Sequence, residues 1–233
     1  MSLSNEILFR IQECRKPNPN APKKIIYFVG PSACGKTTKV KTLEKKLGGY
    51  YQYITLDGFS SNLSDQPKIF LRNLVDILTL SERLINAIKT AAKTHQNTIF
   101  VDGHPILSVL QCEAMYKLYD GKVITEKYLN LIKGNYEEIV NYFKHNQLFT
   151  DFQQTVYYIN IPLETNLKLL LNQKKCEEIS SDIKNELVSL RKIIHSSIFD
   201  LVYQFDNTRV IEVNTLQGLD IIHTYLLGSS GCG

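Results

Sequence analysis

The stretch KKIIYFVGPSACGKTT, residues 23–38, decides how the rest of the chain is read. KKIIYFV is short, apolar and rich in β-branched and aromatic residues, which predicts a buried parallel strand. It runs directly into Gly30-x-x-x-x-Gly35-Lys36-Thr37, the spacing of a phosphate-binding P-loop. Glycine lets the backbone curl until successive N–H groups face phosphate oxygens, and a helix starting at Lys36 adds the positive end of its dipole. Gly30, Pro31, Ser32, Ala33, Cys34, Gly35, Lys36, Thr37 and Thr38 are therefore the candidate nucleotide-binding residues. Lys36 would meet the β- and γ-phosphates, and Thr37 would offer its hydroxyl to Mg²⁺. Thr38 either adds a hydroxyl near the α-phosphate or simply starts the helix. Cys34 reads as a small spacer, although a helix N-terminus also lowers thiol pKa.

Outward from this loop, strand-like and helix-like runs alternate. YYQYITL (50–56), NTIFVDGHP (97–105), TVYYINI (155–161) and RVIEVN (209–214) are the further strand candidates. Helical spacing of apolar residues covers 36–47, 67–94, 106–119, 125–146, 163–173, 180–204 and 215–227, with breaks expected near Gly121 and Gly134. Residues 3–15 fit a short amphipathic helix, ended by KPNPNAP. The predicted fold is α/β: a five-stranded parallel sheet with helices on both faces and a short lid. The domain expectation is one P-loop kinase domain over 1–233, with an N-terminal helix and linker at 1–20, a lid at 172–180 and a flexible tail at 228–233.

Composition narrows the function classes. The 233 residues are 43% apolar, enough for a full core, and the net charge of +4 is spread along the chain. No basic block marks a nucleic-acid binder, so anionic small molecules are the expected partners. Five widely spaced cysteines form no Cys-x-x-Cys pair, which fits reduced thiols and a cytoplasmic setting. Charges come too early for a signal peptide, and no apolar run approaches the roughly 20 residues of a membrane span.

In such a sheet, ligands sit beyond the carboxyl ends of the strands. Asp102 ends the third strand, where a carboxylate would orient Mg²⁺ or cap the next helix. Asp57 ends the second, where it would accept a proton from an acceptor hydroxyl or form an Asp-Gly turn. His104 would bond substrate or order its loop. Lys174 and Lys175 lie in the polar break QKKCEE, where they would reach the phosphates or remain solvated. No guanine-reading Asn-Lys-x-Asp segment is present, which excludes a GTPase of that type. A small-molecule kinase fits the remaining pattern, with a metal carboxylate, a base and mobile cations.

At these residues the chain resembles the deoxynucleoside kinases, most closely the thymidine kinases of herpesviruses. Gly35-Lys36-Thr37-Thr38 matches that family's loop, and Asp102-Gly103-His104-Pro105 is similar to its Asp-Arg-His-Pro. MYKLYDGKVITEKYLNLI (115–132) and IPLETNLKLLLNQKKCEE (161–178) look similar to the helices and lid that follow. The resemblance covers most of 24–227. It implies transfer of the γ-phosphate of ATP, with Mg²⁺, to the 5′-hydroxyl of a deoxynucleoside such as thymidine. It also implies a homodimer in the cytoplasm, the host's if the chain is viral. The family's base is usually a Glu where Asp57 stands. Lys175 and Glu178 look like lid positions, and Arg72, Asn73 and His104 fall in the substrate-reading region.

Two departures stand out. Gly103 replaces the family's arginine, and the lid offers lysines where the family has arginines. Arginine holds phosphate bidentately and lysine as a point charge. Either another cation compensates, with Arg72 and Arg191 as candidates, or the chain binds nucleotide with weak or no transfer. Asp102-Gly103-His104-Pro105 is also similar to the Asp-Gly-Phe-Pro of nucleoside monophosphate kinases, which supplies the runner-up. The 48–97 region holds only Arg72 and Arg83 for an acceptor phosphate, which favours a neutral nucleoside.

Overall fold

The computed structural model describes residues 22–48, 51–55, 66–94, 96–174, 178–205 and 207–229. Five strands form one parallel sheet: β1 (Lys23–Val29), β2 (Gln52–Ile54), β3 (Thr98–Asp102), β4 (Phe152–Ile159) and β5 (Thr208–Val213). Their spatial order is β2-β3-β1-β4-β5. This is the α/β fold, one five-stranded parallel sheet flanked by helices, that the alternating pattern predicts.

Strand β1 is central, and its side chains explain its place. Ile25, Tyr27 and Val29 enter one core layer, and Ile26 and Phe28 enter the other. A period of two on a strand buried on both faces gives a continuous apolar run. The first layer also takes buried residues of α2 (Gln66–Lys93), α3 (Ile106–Leu118), α4 (Glu126–His145) and α6 (Ser181–Ser197). The second takes those of α1 (Lys36–Leu47) and α8 (Leu216–Ser229). Helix α5 (Leu163–Lys174) follows β4.

Register aligns the carboxyl ends. Phe28 pairs with Asp102 on one side and with Tyr157 on the other. The strand-end carboxylate thus lies level with the last residues before Gly30.

Some boundaries differ from the sequence expectation. Gly134 does not break α4, because Ile132, Tyr136 and Val140 hold it against the core on either side. β4 starts at Phe152, earlier than TVYYINI; the buried Gln154 extends it by accepting from the Tyr27 hydroxyl at 3.1 Å. The single helix expected over 180–204 is α6, a 3₁₀ turn at Ile198–Asp200, and α7 (Leu201–Gln204). The tighter turn brings Ile198 and Leu201 onto one buried face, since residues three apart eclipse in a 3₁₀-helix. Expectations for residues 1–20, for 175–177 of the lid and for 230–233 of the tail lie outside the described residues, while 228 and 229, expected in the tail, continue α8. Among those described, no helix is long and apolar enough to cross a membrane.

Candidate functional site

The loop from Gly30 to Gly35 joins β1 to α1. A Cβ at Gly30 would come within 2.7 Å of the Ile159 carbonyl oxygen and 2.8 Å of Cys34 Sγ. Only glycine permits this close approach to the end of β4. Ala33 takes a left-handed φ of +58°, and no side chain caps α1 at Gly35. Apart from the Lys36 N–H, which bonds Cys34, no side chain at Gly35 takes up the first-turn N–H groups of α1.

Lys36 folds back over the loop. Its Nζ donates to the carbonyls of Gly30 (3.0 Å) and Pro31 (2.8 Å). Cys34 is fully buried beneath it, and burial pushes its thiol up against the opposing pull of Lys36. A neutral, enclosed thiol is a packing group, as the spacer reading expects.

The Thr37 hydroxyl donates to Asp102 Oδ2. This joins the start of α1 to the end of β3, and Asp102 is only 5% exposed. A hydroxyl and a carboxylate oxygen side by side are hard donors suited to Mg²⁺. Among the described residues, no group of three or more His, Cys, Asp or Glu could hold a metal by protein ligands alone. The pair fits a Mg²⁺ that takes its remaining ligands from phosphates and water.

His104 is placed differently from a substrate contact. It is 5% exposed, with its ring edge-on to Tyr27 (centroids 4.8 Å) and Phe205 (6.1 Å). Its Nδ1 accepts from the Ile106 N–H at 3.2 Å, so it orders the turn into α3. Burial lowers its pKa to about 3, leaving the ring neutral.

A cavity of 690 Å³ opens beside the loop. Ser32, Arg72, Gln111, Met115, Lys174 and Glu186 are among its lining residues. It brings the P-loop together with α2, α3, α5 and α6. Arg72 carries its charge at the wall, 3.9 Å from Asp76, whose carboxyl is raised by burial against the pull of Arg72. Asn73 is 2% exposed on α2 and does not line the cavity. Glu178 is exposed and does not line it either. Asp57 and Lys175 lie outside the described residues.

Arg191 braces the end of β4 instead of lining the cavity. Its guanidinium donates to the Ile161 carbonyl (2.6 Å) and to Asn160 Oδ1 (2.9 Å), and Asn160 donates in turn to Glu212 (2.7 Å). Sequence reasoning passed over Gln111 and Glu186 on the cavity wall, and Asn166, whose Nδ2 donates to the Ser32 carbonyl at 2.8 Å. Gln111 and Glu186 sit at ordinary helix positions without a motif. Asn166, a polar residue in the first turn of the helix after a buried strand, carries only a weak signal.

Residues 13–72 match the family model described as the Rad17 P-loop domain. No curated protein matches the chain. The fold is similar to a deoxyadenosine kinase from M. mycoides solved with the product dCMP and a flexible dCDP. That likeness has a TM-score of 0.55 at 16% identity, over 88% of this chain and 99% of that one. Thymidylate kinase from Candida albicans is also similar, with a TM-score of 0.51 at 14% identity, over 89% of this chain and 92% of that one. At such identities the likeness establishes a shared fold.

Proposed function

We propose that the chain is an ATP-dependent phosphotransferase acting on the 5′-hydroxyl of a deoxynucleoside such as thymidine. The observation that carries this reading is the 690 Å³ cavity that begins at Ser32 of the phosphate loop. Its volume lies in the range of small-ligand sites, and an acceptor bound in it would lie next to a triphosphate held by the loop. The reading brings with it a cytoplasmic setting, the homodimer that the resemblance implies, and one kinase domain over the whole chain.

Placement supports the roles proposed for Lys36, Thr37, Asp102 and Lys174, and the role of Asp57 rests on the resemblance. Lys36 would leave the Gly30 and Pro31 carbonyls to meet the β- and γ-phosphate oxygens. Thr37 and Asp102 would hold Mg²⁺, which neutralises charge between the phosphates when bound. Asp57 would take the proton of the acceptor hydroxyl. That oxygen then bonds to the γ-phosphorus as the bond to the β-bridging oxygen breaks and ADP leaves. Lys174 lies at the cavity wall, where a cation would offset charge on the transferring group.

A second reading, a monophosphate acceptor, has one observation in its favour. Arg72 lines the cavity, where a guanidinium would meet an acceptor phosphate. A single screen separates the readings. The protein is incubated with Mg-ATP and a panel of deoxynucleosides and their monophosphates, and ADP and phosphorylated products are measured by mass. A nucleoside 5′-monophosphate is the expected product, and it should disappear in Asp57→Asn while ATP binding remains. Products from monophosphates alone would establish the second reading. ATP binding without any product would leave a nucleotide-binding protein.

A further inference from the structure

Asn166 belongs to no motif, yet among the described residues it makes the one side-chain bond from α5 to the phosphate loop. The residue is fully buried in the first turn of that helix. Its Nδ2 donates to the Ser32 carbonyl at 2.8 Å across 134 residues of sequence. Its Oδ1 is also buried and finds no donor among the described residues. Burying a whole carboxamide for one bond gains little stability, because the unmatched oxygen loses its water. The arrangement makes more sense as control of the Ser32–Ala33 peptide.

A trans peptide holds its C=O and the next residue's N–H in opposite directions. Asn166 approaches the loop from α5 and fixes where the Ser32 carbonyl points. It thereby fixes the opposite direction for the Ala33 N–H. Ala33 needs that constraint, since its φ of +58° is a left-handed conformation that a residue with a Cβ disfavours. Freed of Asn166, the peptide can flip, and a carbonyl oxygen would then face the phosphate where an N–H is required.

We propose that Asn166 is a positioning residue of the nucleotide site: it pins the Ser32 carbonyl outside the cradle so that the Ala33 N–H faces the triphosphate. This rests on the reading of Gly30–Thr38 as a triphosphate cradle. Asn166 touches no phosphate itself and acts through the loop backbone.

The test is a double-mutant cycle read as the Kd for ATP by calorimetry, with steady-state kinetics beside it. Asn166→Ala should weaken ATP binding roughly tenfold, consistent with loss of a hydrogen bond and release of a disfavoured backbone conformation. The KM for ATP should rise with it and kcat should move less. Ala33→Gly accepts positive φ at little cost, so it should recover most of that loss in the Asn166→Ala background. In the wild-type background it should improve nothing. A general packing role for Asn166 would not respond to Ala33→Gly. Should Asn166→Ala fail to fold by circular dichroism, Asn166→Leu makes the same comparison, being close in size and shape with no donor. Unchanged ATP affinity in folded Asn166→Ala, or a loss that Ala33→Gly leaves intact, overturns the proposal. A wild-type protein that binds no ATP overturns the nucleotide reading, and this inference with it.

Discussion

Gly103 stands where the resemblance calls for an arginine, and its backbone gives a physical reason. Its φ is +103°, in the region that disfavours any side chain, and its N–H donates to the Phe28 carbonyl at 2.9 Å. The turn at the end of β3 therefore depends on a conformation suited to glycine. Space is not the obstacle, since the nearest atom to an added Cβ is Leu107 Cδ1 at 3.8 Å. Gly103→Ala should cost about 1–2 kcal/mol of stability through the backbone alone. The expected readout is a lower denaturant midpoint with an unchanged slope. A midpoint equal to wild type would mean that the turn tolerates a side chain and that an arginine could have stood there. An arginine at this position would meet the same backbone penalty, so under the proposed function a compensating cation would come from another element. Arg72 and Lys174 already line the cavity, whereas Arg191 is committed to Asn160 and Ile161.

Helix α4 illustrates how far element-level signals reach. Its ends are written locally: the Thr125 hydroxyl accepts from the Tyr128 N–H, Glu126 sits in the first turn, and Lys144 and His145 in the last. Gly134 looked like a break because glycine weakens helices, but the buried stripe of Leu129, Ile132, Tyr136, Val140 and Phe143 runs straight past it. Packing of a whole face outweighs one residue's propensity. Nothing lies within 4 Å of a Cβ added at Gly134. Gly134→Ala should accordingly stabilise the protein by about 0.5–1 kcal/mol, seen as a higher midpoint in chemical denaturation. Destabilisation would mean that the glycine serves a contact outside the described residues. The 3₁₀ turn at Ile198–Asp200 was illegible for a related reason. Residues 180–204 keep helical spacing throughout, and only the demand that Ile198 and Leu201 share a buried face tightens the helix there.

At the scale of the molecule, the strand order decides which distant residues meet, and periodicity alone does not contain it. The phosphate loop was legible because its chemistry is local to nine residues. Thr37 and Asp102 were each legible, the one in that loop and the other at a strand end, but their hydrogen bond across 65 residues comes from β3 lying beside β1. Asn166 and Ser32 meet only because β4 lies on the other side of β1, and no motif announces it. The loop thus stands where β1, β3, β4, α1 and α5 converge, between two core layers. A ligand held there couples to the folding of both layers, so global unfolding should report its binding. Mg-ATP at about 100 times its Kd should stabilise the protein by about 2.7 kcal/mol. For a chain of this size that corresponds to a rise in Tm of roughly 5–10 °C. Asp102→Asn keeps the side-chain shape and removes the charge. In thermal unfolding with ATP, with and without Mg²⁺, it should retain the shift due to ATP alone and lose the increment that Mg²⁺ adds. If Asp102→Asn keeps the full Mg²⁺ increment, the carboxylate at the end of β3 does not serve the metal, and its bond to Thr37 is a structural tie between β3 and α1.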